Sequence, residues 1–449
     1  MTLHRPLTLT FALAMVFSGS AQAQSLLELY ESAQGYDATY QSAQAQYQAT
    51  QARAAQAHAG LLPSVGLSAG ITRADLDNTT GGANTQRDYN TQTATLSASQ
   101  PLYRPANVAA DAQGKKQAEL AQAQLLSAQQ DLIVRVSQAY FDVLAAQDSL
   151  TFVRAQKAAV AEQLASAKRN FEVGTSTITD SREAQARYDL VLAQEIAADN
   201  DLRVKKLALD QLVGKNGTAP KVLATPVALP AVQPDNVEAW VLQSADRHPG
   251  VQQSTLALEI AKLETTKAEA ANKPTLDLTA SYGKTRYPEG NPSSVAPYAS
   301  SRSNVATLGL AFNLPLYTGN ANQNRIQETL ALEDKARADL DVTLRAVAQG
   351  TRSAFFGVQS GVGQVKALEA AEASSQSALD ANKLGYEVGV RINIDVLNAQ
   401  SQLYQTKRDL AQARYNVLVG GLKLRQASGT LQVDDLRAVN ALLARKGLP

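Results

Sequence analysis

Phe171-Glu-Val-Gly-Thr-Ser-Thr-Ile-Thr-Asp180 and Tyr386-Glu-Val-Gly-Val-Arg-Ile-Asn-Ile-Asp395 are two copies of one stretch, and their reading decides the fold. Gly174 and Gly389 lie 215 positions apart, as do Asp180 and Asp395. Each copy ends one long helical pattern and begins another. A glycine can take the left-handed conformation that closes a helix, and the Thr, Asn and Asp beyond it carry side-chain oxygens that cap the next. The stretch therefore predicts a helix-turn-helix tip, present twice, with Gly174 and Gly389 as the tip turns.

Outward from the first tip, Ala106 to Glu172 has no proline and places apolar residues three and four apart, which predicts one helix. At 1.5 Å per residue such a helix spans about 100 Å, far more than a globular core requires. Ile133, Val136, Tyr140 and Val143 have the spacing of a coiled-coil seam. Past the tip, a shorter helix is expected over Asp180 to Gln211, with Asp180 and Glu183 as its N-terminal cap. Residues 212–236 carry Gly214, Gly217, Pro220, Pro226, Pro230 and Pro234 and read as a connector.

The second half repeats the plan. A helix over Asn236 to Asn272 ends at Pro274, a long helix runs to about Leu384, and the second tip leads into a last helix from Asp395. There Val396, Leu403, Leu410, Val417 and Leu424 recur every seven residues, the period that holds one seam against a partner. His248-Pro249 reads as a helix start.

Ahead of each long helix stand two segments of two-residue alternation. They cover about 64–73 and 91–100 in the first half, following a helix over Ser25 to Gly60, and about 275–283 and 303–314 in the second. Ala74 to Asn90 and Lys284 to Arg302 read as long exposed loops. Each strand has the length and single apolar side of a tilted membrane-barrel strand. Four strands cannot close on themselves and open edges are not tolerated in lipid, so the edges must meet other copies of the chain. Two copies supply eight strands and three supply twelve. Tyr103 and Tyr317 would sit at the inner boundary, where aromatic girdles belong.

The first residues fit export: His4 and Arg5, an apolar run from Leu7 to Phe17, and Ala21-Gln22-Ala23 predict a signal peptide over 1–23. The chain has no cysteine, which excludes disulfides, thiolate metal sites and a lipid-accepting cysteine. Its formal charge of +1 leaves no bulk basic field for nucleic acid. His58 and His248 lack ligand-spaced partners and no phosphate loop or nucleophile motif occurs, so no enzyme, cofactor or metal is expected. The competing class is an exported coiled-coil structural protein or adhesin without a conduit.

The arrangement resembles the TolC-like outer-membrane factor family, the exit ducts of drug-efflux pumps and type I secretion systems, over nearly all of the mature chain. The doubled tip carries most of the likeness, with Ala413-Arg414-Tyr415-Asn416 and Ser428-Gly429-Thr430-Leu431. The resemblance implies a mainly α protein with β: a homotrimer whose long coiled-coil helices form a periplasmic α-helical tunnel and whose four strands per subunit build a twelve-strand transmembrane β-barrel in the outer membrane. Residues 212–236 and 428–449 would form a belt around the tunnel. The absent cysteine fits the unlipidated branch. The implied partners are a periplasmic adaptor, an inner-membrane transporter of ABC or RND type, and outer-membrane lipid.

The resemblance also implies a gate. Polar links between the tips would hold the duct shut, with Thr179 and Asp180 on the first tip and Tyr386 and Arg391 on the second. Asp180 would accept from the Tyr386 hydroxyl, and Arg391 would donate to Thr179 or to backbone carbonyls. Asp395 matches the acidic ring at the pore constriction. The second acidic position of that pattern is Asn398 here, which halves the ring's formal charge. Docking of an adaptor or pump would open the gate.

Overall fold

The computed structural model describes residues 23–80, 83–224, 229–292 and 297–444. Residues 1–22 of the expected signal and the Gly81-Gly82 pair lie outside the described residues. Ser25 opens α1 (Leu26–Tyr36) through a capping box with Glu28. Asp37 then takes an extended conformation and caps α2 (Ala38–Ala59). The one helix expected over Ser25 to Gly60 is therefore two. The break is held from outside, because Arg135 grips the Asp37 carboxylate at 2.9 and 3.1 Å.

Two strands follow, β1 (Ser64–Thr80) and β2 (Ala83–Tyr103), then α3 (Pro105–Glu172) and α4 (Ile178–Val213). The second half supplies α5 (Val237–Arg247), α6 (Pro249–Ala270), β3 (Thr275–Tyr287), β4 (Ser301–Asn313), α7 (Ala321–Glu387), α8 (Asn393–Ala427) and the short α9 (Val433–Asn440). The helix expected over Asn236 to Asn272 is split at His248-Pro249. His248 Nδ1 accepts from the Gly250 amide and Pro249 occupies the first helical turn, so this dipeptide does start a helix.

The strands outrun their expected lengths. Residues 74–80 and 83–90, expected in a polar loop, are paired strand up to the hairpin turn. A ladder needs only backbone groups, and beyond the apolar segment polar cross-strand pairs take over, such as Arg73 to Asp88 at 2.8 Å. Likewise β3 continues to Tyr287, four residues into the second expected loop, and β4 begins at Ser301.

The sheet is antiparallel in the order β1-β2-β3-β4, so β1 and β4 are open edges. Directly opposed residues share a face, and the register sorts the side chains. Leu67, Leu96, Tyr282 and Ala306 form one row across all four strands; Val65, Ala98, Ala280 and Leu308 form the next. The other face carries mostly Ser, Thr and Gly: Ser68, Thr95, Gly283 and the apolar exception Val305 make one row, and Gly66, Ser97, Ser281 and Thr307 the next. The apolar face lies bare on the single chain, with Leu67 and Leu308 each 76% exposed. β3 and β4 have 13 residues each, about 43 Å of strand, enough to cross a hydrocarbon core at a tilt of about 45°. None of the described helices is long and apolar enough to cross a membrane.

At the base of the sheet Arg104, the residue before α3, holds Asp277 of β3 in a bidentate pair at 2.8 and 2.6 Å. From there α3 runs 68 residues, about 100 Å, and packs in turn on α2, α6, α4 and α8. Its predicted seam is the core: Ile133, Val136, Tyr140 and Val143 are buried against Leu26, Tyr30, Leu209, Leu422 and Leu436. The heptad residues Val396, Leu403, Leu410, Val417 and Leu424 of α8 are all buried.

Where α3 meets α8, Phe141 stacks on Tyr415 with ring centroids 5.6 Å apart, and the Tyr415 hydroxyl donates to Asp148 Oδ2 at 2.6 Å. Burial pushes the Asp148 carboxyl above its ordinary value, with the Tyr415 bond opposing. Because the folded value is raised, the stability this group contributes is complete below its unfolded value of about 3.9 and is lost as pH rises through the folded value. Tyr415→Phe leaves a buried carboxylate without its donor, and the expected loss is about 1–3 kcal/mol at neutral pH. Denaturant titrations of wild type and variant at neutral and acidic pH would check this. The difference should shrink in acid, where the carboxyl is neutral.

Candidate functional site

The two tips start from the same backbone solution. In the first, Gly174 has φ +79°, and the Thr175 and Ser176 amides both donate to the Asn170 carbonyl. In the second, Gly389 has φ +77°, and the Val390 and Arg391 amides both donate to the Gly385 carbonyl. No β-branched residue could take either glycine's place without strain. The side chains then diverge at equivalent positions.

At the first tip Thr177 is the N-cap. It forms a capping box with Asp180, whose carboxylate also receives the Ser176 hydroxyl at 2.7 Å. The Ser176 and Thr177 bonds hold the Asp180 carboxyl below its usual value, against some desolvation. The cap therefore begins at Thr177, with Asp180 three residues inside it, rather than at Asp180 with Glu183. At the second tip Ile392 stands where Thr177 does and cannot cap. Asp395 is left to Arg391, 3.7 Å away.

Asn393 stands where Ile178 does. Ile178 is exposed, whereas Asn393 is fully buried. Its Oδ1 accepts from Gln163 Nε2 on α3, and its Nδ2 donates to the Asp180 carbonyl at 3.3 Å, so it ties the second tip to both helices of the first. Asn170 Nδ2 donates to the Tyr386 hydroxyl at 3.3 Å, and Gln156 Nε2 to Ser401 Oγ at 3.4 Å. Gln156, Gln163 and Asn170 are seven residues apart, so one polar stripe of α3 faces the second tip and α8. Arg187 of α4 donates to Asn398 Oδ1 at 2.7 Å. Beneath this ladder Val160, Leu164, Ala184 and Leu397 form a dry cluster.

The expected residues are thus gathered at one end, but within the chain they pair differently. Asp180 is taken up by its own capping box and does not receive Tyr386, which meets Asn170 instead. Arg391 lies over Gly385 and beside Asp395, away from Thr179. Thr179 stays exposed at the first turn of α4. The physical reason is locality: a partner three or four residues away is met at almost no cost in chain entropy. Asn393, Gln163, Asn170 and Arg187 were missed. The signal for Asn393 was its mismatch with Ile178 in the repeat, and for the α3 stripe the seven-residue spacing of amides inside an otherwise apolar seam.

The outer membrane efflux protein family model matches residues 29–215 and 240–430, one match to each half of the duplication. The chain belongs to that family. Among relatives of this outer membrane efflux protein, the outer membrane protein TolC of Vibrio cholerae is 32% identical over 438 residues, covering 97% of each chain. The alkaline protease secretion protein AprF of Pseudomonas aeruginosa is 30% identical over 452 residues, covering 98% of this chain and 92% of the relative. The fold is also that of the outer membrane protein VceC of Vibrio cholerae, with a TM-score of 0.78 at 20% identity over 90% of this chain and 96% of the other. The efflux family is one of channels rather than enzymes, and its members place this chain in the outer membrane.

Each neutral hydrogen bond of the ladder contributes roughly 0.5–1.5 kcal/mol. Asn393→Ile, which installs the first tip's residue in the second, removes two of them and strands the Gln163 amide. The expected outcome is a higher single-channel conductance in planar bilayers, with the helical content unchanged. Equal conductance of variant and wild type would remove the ladder from the gate.

Proposed function

We infer that this chain is the outer-membrane exit duct of an efflux or type I secretion assembly, closed at the helix tips and opened when a partner docks there. The single observation that carries the reading is the sheet: an apolar face continuous across four strands, a Ser, Thr and Gly face behind it, and two unpaired edges. Three copies joined β4 to β1 give a twelve-strand barrel with a small-residue polar lumen, and their helices continue it as a periplasmic tunnel. The belt proposed for residues 212–236 and 428–449 is supported by the described part of each, where Leu223, Leu229, Leu431, Leu436 and Leu443 pack on the α3 core around Tyr140; residues 225–228 and 445–449 of that belt lie outside the described residues. The exported scaffold or adhesin reading gives no reason for such a sheet.

The tips support a docking role. Val173, Ile178, Val388, Val390 and Ile392 are all exposed there, an apolar patch ringing the gate. A periplasmic adaptor and an inner-membrane transporter, of ABC or RND type, are the partners proposed for it. AprF is named for protease secretion, and TolC relatives for the outer membrane alone; the inner-membrane partner selects the cargo.

In the closed trimer three copies of Asp395 form the acidic ring, each moderated by Arg391, while Asn398 is neutral and held by Arg187. Thr179, exposed beside the ladder, is free to meet Arg391 of a neighbouring copy.

Purification from outer membranes should give heat-resistant trimers on gels that conduct ions in planar bilayers, and a non-conducting soluble monomer would overturn the duct. Asn398→Asp restores a second carboxylate per subunit, and block by divalent cations should strengthen by about tenfold or less, as expected for carboxylates near a protein surface. Block that is unchanged would place Asn398 outside the constriction.

A further inference from the structure

The register that defines the apolar belt also places three cations on its rim. Arg286 of β3 lies directly opposite Arg302 of β4, and Lys284 lies two residues along β3 from Arg286. All three have the parity of Leu278, Ala280, Leu308 and Leu310, so they project from the apolar face at the end of the belt nearest the strand-connecting turns. Adjacent strands are about 4.8 Å apart and two residues along a strand about 6.7 Å, so the three form a compact triangle. All three are exposed.

Like charges directly opposed across two strands destabilise a sheet. The neighbouring hairpin avoids this cost: Arg73, on the same face, is paired with Asp88 at 2.8 Å. Glu289, in the loop after β3, has its carboxylate occupied by the Asn90 amide and side chain at 2.6 and 2.9 Å. Among the described residues no carboxylate is paired with Lys284, Arg286 or Arg302, and Asp75 and Asp77 stand on β1, across β2 from the triangle. Among the described residues nothing supplies a compensating anion, which leaves the three cations open to one from outside.

We propose that Lys284, Arg286 and Arg302 form a binding site for a phosphate-bearing lipid headgroup of the outer leaflet. The inference rests on the reading of the sheet as an outer-membrane barrel. The triangle adjoins apolar rows that acyl chains would cover, so one molecule satisfies both surfaces: chains against Tyr282 and Leu308, phosphate against the cations. A planar guanidinium pair opposed across two strands suits a phosphate with several acceptor oxygens. The site recurs once per subunit, and such contacts fix the depth and tilt of the barrel.

The test uses full-length protein in phosphatidylcholine nanodiscs doped with lipid A carrying two phosphates, or with its dephosphorylated form, and counts retained glycolipid by native mass spectrometry. Wild type should prefer the phosphorylated form by at least about tenfold, given the attraction of surface basic residues for anionic lipid. Lys284→Gln with Arg286→Gln and Arg302→Gln should abolish the preference, and Arg286→Lys with Arg302→Lys should keep most of it. Added inorganic phosphate should not displace the lipid. A preference that survives the triple Gln variant, or is absent in wild-type protein that has inserted and conducts, overturns the lipid site. Displacement by inorganic phosphate would make it a free-anion site and overturns it too. Failure of wild-type protein to insert would strike the barrel reading itself, and this inference with it.

Discussion

An unpaired strand edge cannot rest in hydrocarbon, and the rest of this protein follows from that constraint. The four-stranded sheet has satisfied backbone groups inside and two open edges, β1 and β4. Among the described residues nothing covers its apolar face, and the proposed barrel answers both needs at once, with lipid against the face and other copies at the edges. Below the sheet, too, the single copy leaves much of its surface uncovered. The 68 residues of α3 are far more than one chain's core can bury, and much of α4 and α7 remains exposed in the single copy.

Duplication solves two problems with one unit. Each half contributes two strands and a long helix pair, so one unit extends the sheet and the helical layer together. The halves then differ at their tips, where one backbone framework carries different side chains. Thr177 and Asp180 spend their polar groups on a local capping box, whereas Ile392 offers no cap. At the position of the exposed Ile178, Asn393 turns inward and ties three helices together. In the proposed gate, a latch of single hydrogen bonds over the small apolar cluster beneath it would be weak enough for a docked partner to offset, since each contributes only roughly 1 kcal/mol.

Much of the fold was legible in the sequence because its determinants are periodic. Seven-residue spacing from Val396 to Leu424 named buried positions correctly, as did the seam from Ile133 to Val143. Two-residue alternation found all four strands but stopped where the side chains became polar on both faces, since the ladder beyond Thr72 is carried by backbone bonds that no side-chain pattern reports. Helix breaks at Asp37 and His248 were less visible. Asp37 breaks its helix in partnership with Arg135, about a hundred positions away in the chain.

The sequence by itself determined the repeat, the turns at Gly174 and Gly389, the lengths of the long helices on either side of them and the parity of the strands, because these depend on neighbours within a few residues or on strict period. It also named Thr179, Asp180, Tyr386 and Arg391, which the fold gathers at the helix tips proposed as the gate. Only the tertiary structure decided which polar groups meet there: that Asp180 turns back on Thr177, that Tyr386 meets Asn170, and that Asn393 is the buried tie. The reason is competition. A carboxylate or hydroxyl has many possible partners, local ones cost least in chain entropy, and which distant partner remains depends on the packing angle of two helices whose contact no single stretch of sequence records.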